Sequence, residues 1–179
     1  MKAILVRAAL AAFCGLALSG LIDSSGPILA DAQPVLGPKL NLQLYSLRGG
    51  HALDPERARF TWNGKRYVHS GGGMKDVAGF TLHPFEAGDL IIQSFPVEHP
   101  DLAEYALVHP LADGIYQVIA IDEDDSDAAA RTANCKHPGG TACRIETREQ
   151  VFTFARATAA KKKTGGGLAI RLDDAPPRH

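Results

Sequence analysis

Four of the seven histidines stand directly before proline: His83, His99, His109 and His137. Two of them sit in similar short stretches, Leu82-His83-Pro84-Phe85 and Val108-His109-Pro110-Leu111, each followed by a glycine-containing turn and an aliphatic run. Neutral imidazoles meeting at one rim of a sheet can hold zinc, copper or nickel, which makes His83 and His109 the candidate metal ligands. The competing reading is plain backbone chemistry. An X-Pro step favours extended strand ends, and no His-x-His or His-x3-His spacing strengthens the metal case.

The cysteines point elsewhere. Cys14 lies in an N-terminal apolar stretch, leaving Cys135 and Cys143 as an even pair with seven residues between them. In an oxidising compartment such a pair forms one structural disulfide, here stapling a turn that contains Lys136-His137-Pro138-Gly139-Gly140. A metal site from Cys135, His137 and Cys143 would lack a fourth ligand and the usual close cysteine spacing. The run Asp122-Glu123-Asp124-Asp125-Ser126-Asp127 could attract a hard cation, but Asp127 and Ala133 stand where an EF-hand loop needs its glycine and its final glutamate. Runs of this kind usually form solvated loops.

Other chemistries have weaker support. Ser70-Gly71-Gly72-Gly73 matches neither a phosphate-cradling loop nor a nucleophile elbow and reads as a flexible connection. Glu86, Glu98 and Glu104 are acidic, with nothing in their spacing to pair them for acid/base work. Phe60, Trp62 and Tyr67, beside Lys65 and Arg66, are the candidate ligand-binding residues, as a stacking platform for a sugar, peptide or base. In a chain only 7% aromatic, these rings are also needed for the core. No cofactor motif is evident. Nineteen basic against twenty acidic residues, a net charge of −1, gives no electrostatic case for nucleic acid.

The N-terminus reads as an export signal. Lys2 and Arg7 precede an uncharged stretch from Ala8 to Ile22, a break at Asp23-Ser24-Ser25-Gly26-Pro27, and the small-x-small motif Ala30-Asp31-Ala32. The apolar stretch is shorter than the about 20 residues of a spanning helix, so cleavage is expected rather than membrane insertion. A signal over residues 1–32, with the cut after Ala32 or else after Ala30, makes the protein periplasmic or secreted. The bulky Phe13 before Cys14 argues against lipidation. The remaining chain of about 150 residues is long enough to bury a core by itself.

These groups must be positioned by β-hairpins. Residues 33–39 form a flexible Pro/Gly leader, and Leu40 to Leu44 alternates apolar and polar as a half-buried strand does. Asn63-Gly64 predicts a two-residue hairpin turn pairing Phe60 with Tyr67 and Trp62 with Lys65. Two more hairpins follow, Gly79–Leu82 with Leu90–Phe95 and Tyr105–Leu111 with Ile115–Ile121. In the last strand Ile115, Ile119 and Ile121 oppose Tyr116, Val118 and Ala120, so both faces are apolar and need cover.

A helix over about 148–162 supplies that cover, capped by Thr147 with Gln150 and carrying Val151, Phe152, Phe154 and Ala155 on one arc. Leu168–Leu172 adds a last strand, and residues 175–179 form a tail. The fold expected over 40–174 is therefore β-rich α+β: an antiparallel meander in a small barrel or curled sheet with one C-terminal amphipathic helix, the alternative being a β-sandwich. A transmembrane barrel does not fit such short strands without a lipid-facing alternation.

With no catalytic signature, the expected function is an exported non-catalytic binding or interaction module for a small molecule or an envelope protein. A small hydrolase using carboxylate or histidine chemistry is the first alternative. A metal-handling protein acting through His83 and His109 is the second.

Overall fold

The computed structural model describes residues 22–48, 51–52, 55–74, 76–136, 143–161 and 166–172. Residues 1–21 with the positive region and the apolar stretch up to Ile22, His137 with the turn residues that follow it, Lys162, Lys163 and the tail lie outside the described residues. Among the described residues eleven strands run in chain order: β1 (Ile22–Ser24), β2 (Lys39–Arg48), β3 (His51–Ala52), β4 (Glu56–Trp62), β5 (Tyr67–Gly72) and β6 (Val77–Pro84). They continue with β7 (Leu90–Pro96), β8 (Ala103–Ala112), β9 (Ile115–Ala120), β10 (Cys143–Arg144) and β11 (Gly166–Arg171). Among the described residues two helices, α1 (Ala128–Asn134) and α2 (Arg148–Ala160), flank β10. No helix among the described residues is long and apolar enough to cross a membrane.

Eight strands close into an antiparallel barrel in the order β8-β7-β6-β5-β4-β2-β11-β9, and the pairing of β9 with β8 completes the ring. That closure excludes the sandwich. The hairpins expected around Glu86–Gly88 and Asp113-Gly114 are both present, as β6–β7 and β8–β9. Side chains fill the inside: Leu40, Phe60, Tyr67, Phe80, Leu82 and Val118 are buried there together. Tyr67 stacks on Phe80 at 5.1 Å and Phe60 meets Phe80 edge-on at 4.9 Å. Small residues between the large ones, Ala58, Ala106, Ala120 and Ala169, let an eight-stranded ring close around such bulk.

The first hairpin is looser than Asn63-Gly64 alone implies. Trp62 pairs with Tyr67 and Phe60 with His69, so the loop spans Asn63–Arg66. The cause is the Asn63 side chain, whose Oδ1 accepts hydrogen bonds from both Lys65 N (3.1 Å) and Arg66 N (3.0 Å) and draws those residues into the turn. The glycines after His69 are likewise not a connection but the end of β5, where the β4–β5 register shifts. Gly72 has φ +92°, and a Cβ there would lie 2.1 Å from Arg57 O. Only glycine allows the strand to curl this closely onto its neighbour.

The segment before β2 packs across one end of the barrel. Leu36 rests on the inner core, Tyr67 Oη donates to Gly37 O (2.7 Å), and Trp62 N donates to Pro38 O (2.8 Å).

Outside the ring lies a second core. Because side chains alternate along a strand, β8 sends Ala106 and Val108 inward and Tyr105 and Leu107 outward. Helix α2 covers that outer face with Val151, Phe154 and Ala155, joined by Ile91, Ile121 and Ile145. Its N-terminus carries the expected capping box, in which Thr147 Oγ1 accepts from Gln150 N and Gln150 Oε1 accepts from Thr147 N. Strand β1 extends the layer by pairing antiparallel with β8 and parallel with β10. Phe154 is fully buried between α2 and the barrel wall. Phe154→Ala is expected to lower the unfolding free energy by about 3–5 kcal/mol in chemical denaturation. An unchanged midpoint would mean that the helix is not held by this face.

Candidate functional site

The acidic run after β9 is built into the structure rather than merely solvated. Asp122 accepts from Asp124 N (2.9 Å) and caps a 3-10 turn over Glu123–Asp125. Asp127 accepts from Ala130 N (2.7 Å) and caps α1, a helix that the sequence reading left out. Asp125 is buried, where its Oδ2 accepts from Thr158 Oγ1 of α2 (2.8 Å) and its Oδ1 lies 3.4 Å from Lys161 Nζ. Asp124 accepts from Arg131 Nη1 (2.8 Å). These contacts fasten the turn to α2 on one side and to α1 on the other.

Beyond α1 the chain reaches Cys135, which is bonded to Cys143 as the cysteine count predicts, with Cα atoms 5.1 Å apart. The bond ties the end of α1 to β10, and Arg144 Nε of β10 donates to Asp23 of β1 (2.9 Å). The turn, α1 and the disulfide border an open recess of about 440 Å³ lined by Glu123, Asp124, Ala128, Arg131, Thr132 and Cys135. Glu123 Oε2 lies 3.2 Å from Cys135 Sγ. Among the described residues, Glu123, Cys135 and Cys143 form a group of metal-ligating side chains whose ligand atoms lie within 4.8 Å of one another. With the sulfurs bonded to each other, neither offers a thiolate.

The predicted site residues fall in other places. Phe60 and Tyr67 are barrel core, and Trp62 packs edge-on against Tyr67 at 5.2 Å beside that core. The trio does share one face, but its rings meet each other and Phe80. His83 and His109 are engaged by different partners. His83 is buried, and its Nε2 is 2.8 Å from Thr81 Oγ1. His109 is half exposed, with Nδ1 2.7 Å from Asp89 Oδ1. Of the glutamates considered for acid/base work, Glu86 accepts from Arg156 Nε (2.8 Å), while Glu104 is buried in β8 opposite Ser94 and Asp23.

Sequence reasoning also passed over Gln93, the centre of a buried polar network on the outer face of β7. Its Oε1 accepts from Ile28 N and Leu29 N (both 2.9 Å), and its Nε2 donates to Leu29 O (3.3 Å) and Thr81 Oγ1 (3.2 Å). Tyr105 Oη also reaches Gln93 Oε1 (3.3 Å) and lies 2.6 Å from Ser24 Oγ. Burial pushes the Tyr105 phenol up to about 12, which keeps it a neutral donor and acceptor. A polar residue between the outward Ile91 and Phe95 of β7 was the available signal.

Comparison with known protein families, with curated protein sequences and with solved structures finds no match.

Two outcomes follow from this geometry. Burial holds the His83 pKa below its ordinary value, so the fold prefers the neutral ring. The unfolded chain then binds the extra proton, and stability present above about pH 6.5 is lost as pH falls through the usual histidine range. The thermal midpoint should therefore drop between pH 7.5 and 5.5, and drop less in His83→Gln. An equal slope in both proteins would exclude His83 as the cause. Removing the staple by Cys135→Ala with Cys143→Ala should lower stability by about 2–3 kcal/mol in urea melts, the amount expected for so short a loop.

Proposed function

We propose that the protein is an exported, non-catalytic binding module whose ligand is held in the recess beside the disulfide rather than inside the barrel. One observation carries the reading. The interior is filled by Leu40, Phe60, Tyr67, Phe80 and Leu82, whereas the concavity lined by Glu123, Asp124, Arg131, Thr132 and Cys135 has the size of a small-ligand site. A non-catalytic role is supported by how the local carboxylates are used, since Asp122, Asp125 and Asp127 hold the turn and the helix in place.

Asp124 is already paired with Arg131, and two carboxylates against one guanidinium leave the lining a formal charge of −1, which suits a cationic group: a small organic amine, or a Lys or Arg side chain of an envelope protein. The disulfide and an N-terminus of signal-peptide pattern suit an exported protein.

The test is a two-dimensional amide NMR titration of the oxidised protein with tri-lysine, arginine amide and tri-glutamate. The cations should shift Glu123, Asp124 and Thr132 and lose that effect in Glu123→Gln with Asp124→Asn, while tri-glutamate should leave those resonances in place. Shifts confined to residues of the barrel interior, or none with either cation, would sink the proposal. A second reading, metal handling by the reduced form alone, rests on Glu123, Cys135 and Cys143 having ligand atoms within 4.8 Å of one another. Zinc taken up stoichiometrically by the reduced protein, and lost in Glu123→Gln, would turn the assignment that way.

A further inference from the structure

We infer that the export signal is removed before Ile22, at the small-x-small motif Ala17-Leu18-Ser19, so that residues 22–32 remain in the exported protein as a structural part of it. This rests on the export reading above. Small residues stand at the positions a signal peptidase reads both before Ile22, at Gly15-Leu16-Ala17 and Ala17-Leu18-Ser19, and after it, at Ala30-Asp31-Ala32. Pattern alone does not choose between them. Packing does.

Strand β1 lies between β8 and β10, with Asp23 opposite Glu104 on one side and Ile22 opposite Cys143 on the other. Ile22 (1% exposed) and Leu29 (5%) belong to the outer core with Ile91, Leu107 and Phe154. A cut after Ala30 or Ala32 would take both away and uncover that core. It would also strip β10, the strand that bears Cys143, of its parallel partner and of the Asp23 carboxylate that binds Arg144.

The polar atoms say the same. Gln93 is 1% exposed, and three of its amide contacts go to the main chain of Ile28 and Leu29. Tyr105, also 1% exposed, sits against Ser24, whose hydroxyl in turn donates to Gly26 O. Without residues 24–29 these groups would be left against apolar neighbours with their main partners missing, an arrangement folded proteins avoid. An amide held on a β-wall by the main chain of a departing leader would have no role afterwards. A cut after Ser19 keeps every one of these contacts. It also leaves Ala8–Leu18 as the apolar region of the signal, a length within the 7–15 residues such regions span.

The step is hydrolysis of the Ser19–Gly20 peptide bond by a signal peptidase. Water supplies the hydroxyl that completes the Ser19 carboxyl and the proton that completes the Gly20 amine.

The experiment expresses the full chain in a double-membraned bacterium and determines intact mass and N-terminal sequence of the product. An N-terminus at Gly20 supports the inference, and one elsewhere between Leu18 and Ile22 supports retention of residues 22–32 but overturns the assignment to Ala17-Leu18-Ser19. One at Asp31 or Gln33 overturns it while leaving export intact. A chain retaining Met1 in the cell interior overturns the export reading and this inference with it. In a second arm, Ala17→Leu with Ser19→Leu should accumulate precursor, whereas Ala30→Leu with Ala32→Leu should be processed at the original point. The reverse pattern would overturn the assignment.

Discussion

Apolar side chains on both faces of the same strands are the constraint from which the architecture follows. Strands β7, β8 and β9 carry Ile92, Val108 and Val118 on one side and Ile91, Leu107 and Ile121 at or beside the other. A sheet that is oily on one face can close into a barrel and stop there; this one must also be roofed. The inner face is satisfied by curling until β9 meets β8, and the outer face by α2, β1 and β10. The disulfide serves the roof rather than the ring, because Cys143 lies in the outer core and its bond to Cys135 holds the path that leads into α2.

Much of this was legible in the residues. The two-sided character of Ile115–Ile121 demanded a cover, and the capping pattern Thr147 to Gln150 located the helix that provides it. Turn residues fixed the second and third hairpins. The departures arose where a side chain competed with the backbone rule: Asn63 Oδ1 lengthened the first loop, and the glycines after His69 were spent on a close approach to β4 rather than on flexibility. Ring closure itself left no local trace, since β11 pairs with β2 across most of the chain and with β9 across about fifty residues.

The candidate site was legible only in part. Cysteine arithmetic gave the Cys135–Cys143 bond. The recess beside it depends on Asp127 capping α1, a local signal that the charge count of the acidic run hid, and on Asp125 bonding Thr158, a contact across 33 residues of chain. Composition made the acidic run look like a solvated loop because it counts charges and not their partners. His83 and His109 resembled each other in sequence because both precede a proline at a strand's far end, and that resemblance carried no information about what each ring touches. Of the aromatic trio, Phe60 and Tyr67 lie in the barrel core and Trp62 packs beside it.

The ring also has a bearing on how the molecule behaves among its own kind. Open sheets expose rows of amide and carbonyl groups that can zip onto a neighbour. Here eight strands pair around the circle, and the described segments at the ends of the sheet outside it, β3 and β10, are only two residues each. The thin place is the seam between β5 and β6, paired only at Tyr67 with Phe80 and Val68 with Gly79, so a second copy seeking main-chain partners would be directed to that seam rather than to the sheet's ends.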